Sequence, residues 1–157
     1  FWLVEGSKRQ KILLDFINHA EPERAIIFAN RRDRTHKLVE FLKKKQISCE
    51  GLAGDIPQKK RLSTLNKFKS GELKYLIATD VAGRGIHVDG VTHVIDFGLP
   101  DDAEDYVHRI GLTGRAGSSG TAISFVSEDD AFNLPALEEY LGGPIQCIQP
   151  DLLPDSD

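Results

Sequence analysis

The sequence predicts an α/β domain, a mostly parallel sheet with helices on both faces, and two observations carry the prediction. Short apolar runs of strand length alternate along the chain with longer stretches whose apolar residues recur at helical spacing. Several of the runs are apolar without a break, as strands covered on both faces must be. Strand and helix in alternation imply right-handed crossovers between parallel neighbours, and so a layered α/β architecture.

The elements follow in order. Phe1-Trp2-Leu3-Val4 opens the chain inside a structured segment, and no methionine occurs anywhere, so a piece of a longer protein is expected. Gln10 to His19 carries Ile12, Leu13, Phe16 and Ile17 as a helical stripe. Ala25 to Ala29 has the composition of a buried strand. Thr35 to Lys45 returns to helix with Leu38, Val39, Phe41 and Leu42 on one face, and Ile47 to Leu52 is a second strand. Asp55 is a candidate N-cap with Pro57 in the first turn after it. The helix it opens places Leu62, Leu65 and Phe68 on its apolar face and stops at Ser70-Gly71. Tyr75 to Ala78 and Val91 to Phe97 are strands, Asp102 to Ile110 a helix, Thr121 to Val126 a strand and Ala131 to Leu141 a last helix. One domain over residues 1–150 is expected, with residues 151–157 an acidic, disordered tail.

Composition narrows the function. No apolar run approaches the roughly 20 residues of a membrane span. The two cysteines, Cys49 and Cys147, are far apart and the five histidines scattered, which fits a reducing cytoplasm and no bound metal. A net charge of −4 argues against gripping nucleic acid by bulk electrostatics, so any such contact must use a local patch.

In parallel α/β sheets ligands bind beyond the carboxyl ends of the strands, so the polar clusters that follow strands are the places to seek chemistry. Ala78-Thr79-Asp80-Val81-Ala82-Gly83-Arg84-Gly85 directly follows a strand. Its glycines permit close backbone approach, and Thr79 and its neighbours can donate to phosphate oxygens. Alone, Gly-Arg-Gly more often marks an ordinary tight turn. Tyr106 to Gly117, with the wording Tyr-Val-His-Arg-Ile-Gly-Leu-Thr-Gly-Arg-Ala-Gly, puts a cationic side chain on a glycine-rich exit from a helix. In isolation that pattern is better read as a helix C-terminus favouring cations.

Together, in this order, the two clusters resemble motifs V and VI of superfamily 2 helicases, and the DEAD-box RNA helicases in particular. Ile26 to Asn30 is similar to motif IV. Gly54-Asp55-Ile56-Pro57-Gln58-Lys59-Lys60-Arg61, continuing to Phe68, is similar to the Gly-Asp and Gln-x-x-Arg signature that follows it. Four motifs in the correct order span Ile26 to Gly117, and Gly-Ile-His after Arg84 looks most like the bacterial RhlB-like group. The resemblance implies a RecA-like three-layer sandwich, the C-terminal of the two such domains in a helicase that uses ATP to unwind RNA. It implies that Gly54, Asp55, Arg61, Thr79 and Asp80 lie along the RNA backbone, a sequence-independent grip. Gly83, Gly85 and His87 would border the nucleotide, and Arg84 would brace its loop. Arg115 matches the arginine finger that stabilises charge on the γ-phosphate, worth about 10³–10⁵ in rate in NTPases generally, and His108 would communicate across the cleft. Lys59 and Lys60 are a solvated helix face.

Two positions depart from the family pattern. Where most relatives carry an Asp for the ribose this chain has His87, as the RhlB-like group does, and a nucleotide contact in altered form is expected. Position 112, an arginine in the family's His-Arg-Ile-Gly-Arg-Thr-Gly-Arg, is Leu112, which offers neither charge nor hydrogen bond to a γ-phosphate. The chain has no Gly-x-x-x-x-Gly-Lys-Ser/Thr and no Asp-Glu-Ala-Asp. In the family these stand on the N-terminal RecA-like domain, which would hold most of the Mg²⁺ ligands, so this domain brings half a cleft and is inactive alone. Its implied partners are RNA, that domain and an RNA-degrading endonuclease scaffold. Two rivals stand beside this reading: a catalytically impaired RNA- or protein-binding module derived from a helicase, and a phosphate-binding metabolic enzyme. The second lacks any nucleophile–base pair or dinucleotide fingerprint.

Overall fold

The structure is a computed structural model and describes residues 2–3, 9–29, 32–52, 57–79, 91–98, 103–110, 121–126 and 134–142. Six strands are described: β1 (Trp2–Leu3), β2 (Ala25–Phe28), β3 (Cys49–Leu52), β4 (Tyr75–Ala78), β5 (His93–Asp96) and β6 (Thr121–Val126). They form one sheet in the order β1-β6-β5-β2-β4-β3, and every pairing is parallel. The five described helices are α1 (Arg9–Ala20), α2 (Arg32–Lys44), α3 (Gln58–Ser70), α4 (Ala103–Ile110) and α5 (Leu134–Leu141).

The strand period of two divides the apolar residues between two faces. Ala25, Ile27, Cys49, Tyr75, Ile77, Ile95, Ile123 and Phe125 pack with Leu13, Phe16 and Ile17 of α1 and Leu38 and Leu42 of α2. Ile26, Phe28, Leu52, Leu76, Ala78 and Val94 pack on the opposite face with Phe68 of α3. These are the three layers of an α/β sandwich. Gly51 brings α2 close to β3, since a Cβ there would lie 3.1 Å from the Val39 side chain.

Several boundaries differ from the sequence expectation. Helix α2 begins at Arg32, not Thr35, because its polar first turn carries no apolar stripe to announce it. Asp55 is not the N-cap of α3: Pro57 is, with φ −56° and ψ 144°, and its carbonyl accepts the Arg61 amide at 2.9 Å. A proline suits this place because its fixed φ is compatible with helix entry and the missing N–H is no loss there. Leu62 does not join the core. It is 52% exposed, and Thr64 and Phe68 are the buried residues of α3. Thr64 takes the inward position because its hydroxyl donates to Glu50 of β3 at 2.9 Å. The fifth strand is His93–Asp96, with Val91 and Phe97 buried beside it, and the third is Cys49–Leu52.

Gly71 ends α3 as expected, at φ +86°, with its amide on the Phe68 carbonyl. Helix α2 ends at Lys44, within one residue of the expected Lys45, and does so without a glycine. Gln46 adopts φ +66° there, its amide bonds the Lys43 carbonyl at 3.1 Å, and Ile47 reaches back to the Leu42 carbonyl at 3.0 Å. That is a Schellman ending built without glycine. Residues 151–157, expected as a tail, lie outside the described residues.

Candidate functional site

Because all strands are parallel, their carboxyl ends share one edge of the sheet. Backbone bonds extend the ladder one residue past several of them: the Ala29 amide donates to Ala78, Phe97 to Phe28, both at 2.9 Å, and Thr79 to Leu52 at 3.3 Å. Thr79 is therefore held at the mouth of the β3–β4 pair. Helix α3 runs back across the sheet from this same edge, so its first turn, with Arg61, stands at the end where Thr79 lies. Both side chains are half-buried. Two of the expected RNA-facing residues thus share one edge. Gly54, Asp55 and Asp80, and likewise Gly83, Gly85, His87, Leu112 and Arg115, lie outside the described residues, as does the side chain of His108, whose backbone is in α4.

A buried polar cluster missed at the sequence level occupies this edge. Phe28, Asp96 and Ser124 are register partners across β2, β5 and β6, and so form one row on one face of the sheet. Arg109 of α4 lies over that row. Its guanidinium donates to Asp96 Oδ1 at 3.2 Å and to the Gly98 carbonyl at 2.9 Å, and sits 5.0 Å from the Phe28 ring centroid. The Ser124 hydroxyl donates to Asp96 Oδ2 at 2.7 Å. Asp96 and Arg109 are 1% and 0% exposed, so this ion pair is wholly removed from water. Tyr106, one turn before Arg109, joins through Ser124; burial, and then the Asp96 charge, push its hydroxyl pKa up. The signal was present in the sequence: Asp96 is a carboxylate inside the apolar run Val94-Ile95-Asp96-Phe97, and such a group must be paired.

Two other ionisable side chains, Cys49 and His93, serve packing. Cys49 is buried, which raises its thiol pKa to about 11 and leaves it a protonated core residue. His93, at the opposite end of the strands, is lowered by burial and packs edge-on to Phe16. Among the described residues no three His, Cys, Asp or Glu side chains come together as a metal site needs, and no helix is long and apolar enough to cross a membrane.

With this geometry in hand, comparison with known proteins is specific. The helicase conserved C-terminal domain family matches residues 8–117, a span that contains every motif described above. The ATP-dependent RNA helicase RhlB of Pseudomonas syringae is 48% identical over 95% of this chain, which spans only 38% of that relative's length. Among solved structures, the chain resembles the E. coli DEAD-box protein SrmB bound to regulator of ribonuclease activity A. The TM-score is 0.87 and the identity 34%, over 99% of this chain and 92% of that one. It also resembles domain 2 of the DEAD-box helicase Mss116p bound to an RNA duplex, with TM-score 0.79 and 28% identity over 99% of this chain and 63% of that one. From the family match and the near-complete overlay on SrmB, the chain belongs to the helicase C-terminal domain family, in its DEAD-box branch.

Proposed function

We propose that this chain is the C-terminal RecA-like half of an ATP-dependent RNA helicase of RhlB type. It closes on an N-terminal RecA-like domain of the same protein to bind ATP and RNA and to unwind short RNA duplexes. The observation that carries the reading is the shared edge: Arg61 at the start of α3, Thr79 after β4 and Arg109 of α4, bonded to Asp96, all stand at the carboxyl ends of the strands. RhlB relatives about half identical in sequence support the assignment of the whole protein.

In this scheme Arg61 and Thr79, with Gly54, Asp55 and Asp80, grip phosphates of one RNA strand through charge and hydrogen-bond donors that carry no base information. Gly83, Gly85 and His87 border the nucleotide. Arg115 reaches the γ-phosphate when the two domains close, and His108 transmits that closure. Guanidinium and backbone amides are the donor chemistry that phosphate oxygens require. Mg²⁺ would supply charge neutralisation at the nucleotide phosphates, and its ligands are assigned to the N-terminal domain, where the family carries the P-loop and the Asp-Glu-Ala-Asp that this chain lacks. The protein is placed in the cytoplasm, and an RNA-degrading endonuclease is its proposed partner. That partner is supported by SrmB having been solved with a regulator of ribonuclease activity.

The test compares the purified chain with the two-domain protein in ATP, Mg²⁺ and single-stranded RNA. The two-domain protein should show RNA-stimulated hydrolysis and the chain alone none above background. Turnover by the isolated chain would overturn the half-cleft reading.

A further inference from the structure

Glu50 puts a carboxylate where an apolar side chain would pack. It stands on β3, the last described strand on one side of the sheet. The Cys49 thiol donates to the Val39 carbonyl and a Cβ on Gly51 would meet Val39, so these two residues face α2. Glu50 and Leu52 therefore face α3. Both oxygens of Glu50 are engaged: Oε2 accepts the Thr64 hydroxyl at 2.9 Å, and Oε1 lies 3.8 Å from Lys67 Nζ. Thr64 is 2% exposed, so its hydroxyl meets the carboxylate inside the interface between α3 and the sheet. Thr64 and Lys67 are three residues apart and share one side of the helix. Among the described residues of α3 only Phe68 and, in part, Leu65 join the apolar core. Apolar contact is non-directional and lets a helix turn or slide over a sheet. A hydrogen bond and an ion pair from successive turns to one carboxylate oppose both motions.

The same strand reaches the other half of the proposed RNA grip. The Leu52 carbonyl, two residues after Glu50, accepts the Thr79 amide at 3.3 Å. Arg61 stands one turn before Thr64, about 4.5 Å along the helix axis at the usual rise. Strand β3 thus holds Thr79 through its backbone and the turn that carries Arg61 through the Glu50–Thr64 bond. On the RNA reading given above, we infer that Glu50 is a positioning residue for RNA binding: it fixes the register of α3 on β3, and so the spacing of Arg61 and Thr79 along the phosphates. Its own charge makes no contact with RNA, since Thr64 and Lys67 occupy it.

The experiment uses the two-domain protein with a nonhydrolysable ATP analogue and a single-stranded oligouridylate. Kd is measured over a salt series for the parent, Glu50→Leu, Glu50→Gln, Arg61→Ala and the double variant Glu50→Leu with Arg61→Ala, each melted to check that it is folded. Leucine fills the place without an acceptor, whereas glutamine keeps an oxygen for Thr64. Were Glu50 only a negative charge near RNA, removing it would tighten binding and steepen the salt dependence. Positioning predicts the reverse. Glu50→Leu should weaken binding about tenfold and flatten the salt slope by about 0.7, the mark of a lost phosphate contact. Glu50→Gln should stay within about twofold of the parent, and Glu50→Leu should add little once Arg61 is alanine. Should Glu50→Leu melt below the assay temperature, Thr64→Val removes the same bond from the helix side, and the same weakening and flattening are expected of it. Tighter or unchanged binding in the folded variant, while Arg61→Ala weakens it, would overturn the inference and leave the RNA reading standing. Losses that simply add in the double variant would overturn it too, because Glu50 would then act by a route other than Arg61. Binding indifferent to Arg61→Ala would remove the proposed RNA path itself, and the role of Glu50 with it.

Discussion

Arg109 and Asp96 illustrate how a charged pair enters a core. Each would be costly alone, and removing one partner of such a pair typically costs about 3–5 kcal/mol, because the other charge is left buried. Ser124 and the Gly98 carbonyl add hydrogen bonds, so the cluster is tolerated on the sheet face that also carries Phe28 and Val94. Leu112 is a different kind of residue problem. The family motif has arginine there, and one charge-assisted hydrogen bond is worth about 1.5–3 kcal/mol, or roughly one to two orders of magnitude in turnover if it acts in the transition state. Leu112→Arg in the two-domain protein is therefore expected to raise RNA-stimulated hydrolysis by about that factor, with little change in melting temperature. Unchanged hydrolysis would mean that Arg115 suffices and Leu112 is a neutral variant.

At the scale of elements, the two helices α2 and α3 end by the same left-handed turn with different residues. Gly71 meets φ +86° without a Cβ penalty, while Gln46 adopts φ +66° against its own side chain. The left-handed conformation costs a residue with a Cβ about 1–2 kcal/mol. Gln46→Gly should therefore stabilise the chain by about 1 kcal/mol and Gly71→Ala destabilise it by about the same, opposite shifts that urea unfolding of the two variants would resolve. Equal signs would show that neighbouring contacts, such as Arg24 at 3.3 Å from a Cβ on Gly71, outweigh the backbone term. Helix α3 also explains why its apolar stripe misleads. Its inward face is shared by Phe68 and a threonine that pairs with Glu50, so Leu62 is turned outward over Lys59 and Ser63, where it lines a shallow surface groove.

For the chain as a whole, a net charge of −4 sets an unfavourable average field against the RNA binding proposed above. The proposed grip then rests on local donors, and α3 carries five lysines and arginines with no acidic residue. Arg61→Ala in the two-domain protein should weaken binding of all single-stranded sequences alike. It should also flatten the plot of log affinity against log salt by about 0.7, the release of one counterion from a single strand. A loss confined to some sequences, or no loss, would remove Arg61 from the RNA path.

The alternation of buried strands and amphipathic helices was legible from residues alone, because period-two and period-3.6 burial leave different marks on a chain. So was the family, since motif order survives without any knowledge of folding, and so was the glycine stop at Gly71. Tertiary structure alone decided which strands are neighbours: β2 lies between β5 and β4, though β4 and β5 follow each other in sequence. It also decided that Thr79 and the first turn of α3 share an edge, and that Asp96, Arg109 and Ser124 meet. No local pattern encodes these facts. A hydrogen bond between Ser124 and Asp96 joins residues 28 positions apart, and only the register of parallel strands, set by packing the sheet between two helical layers, brings such residues within reach of one another.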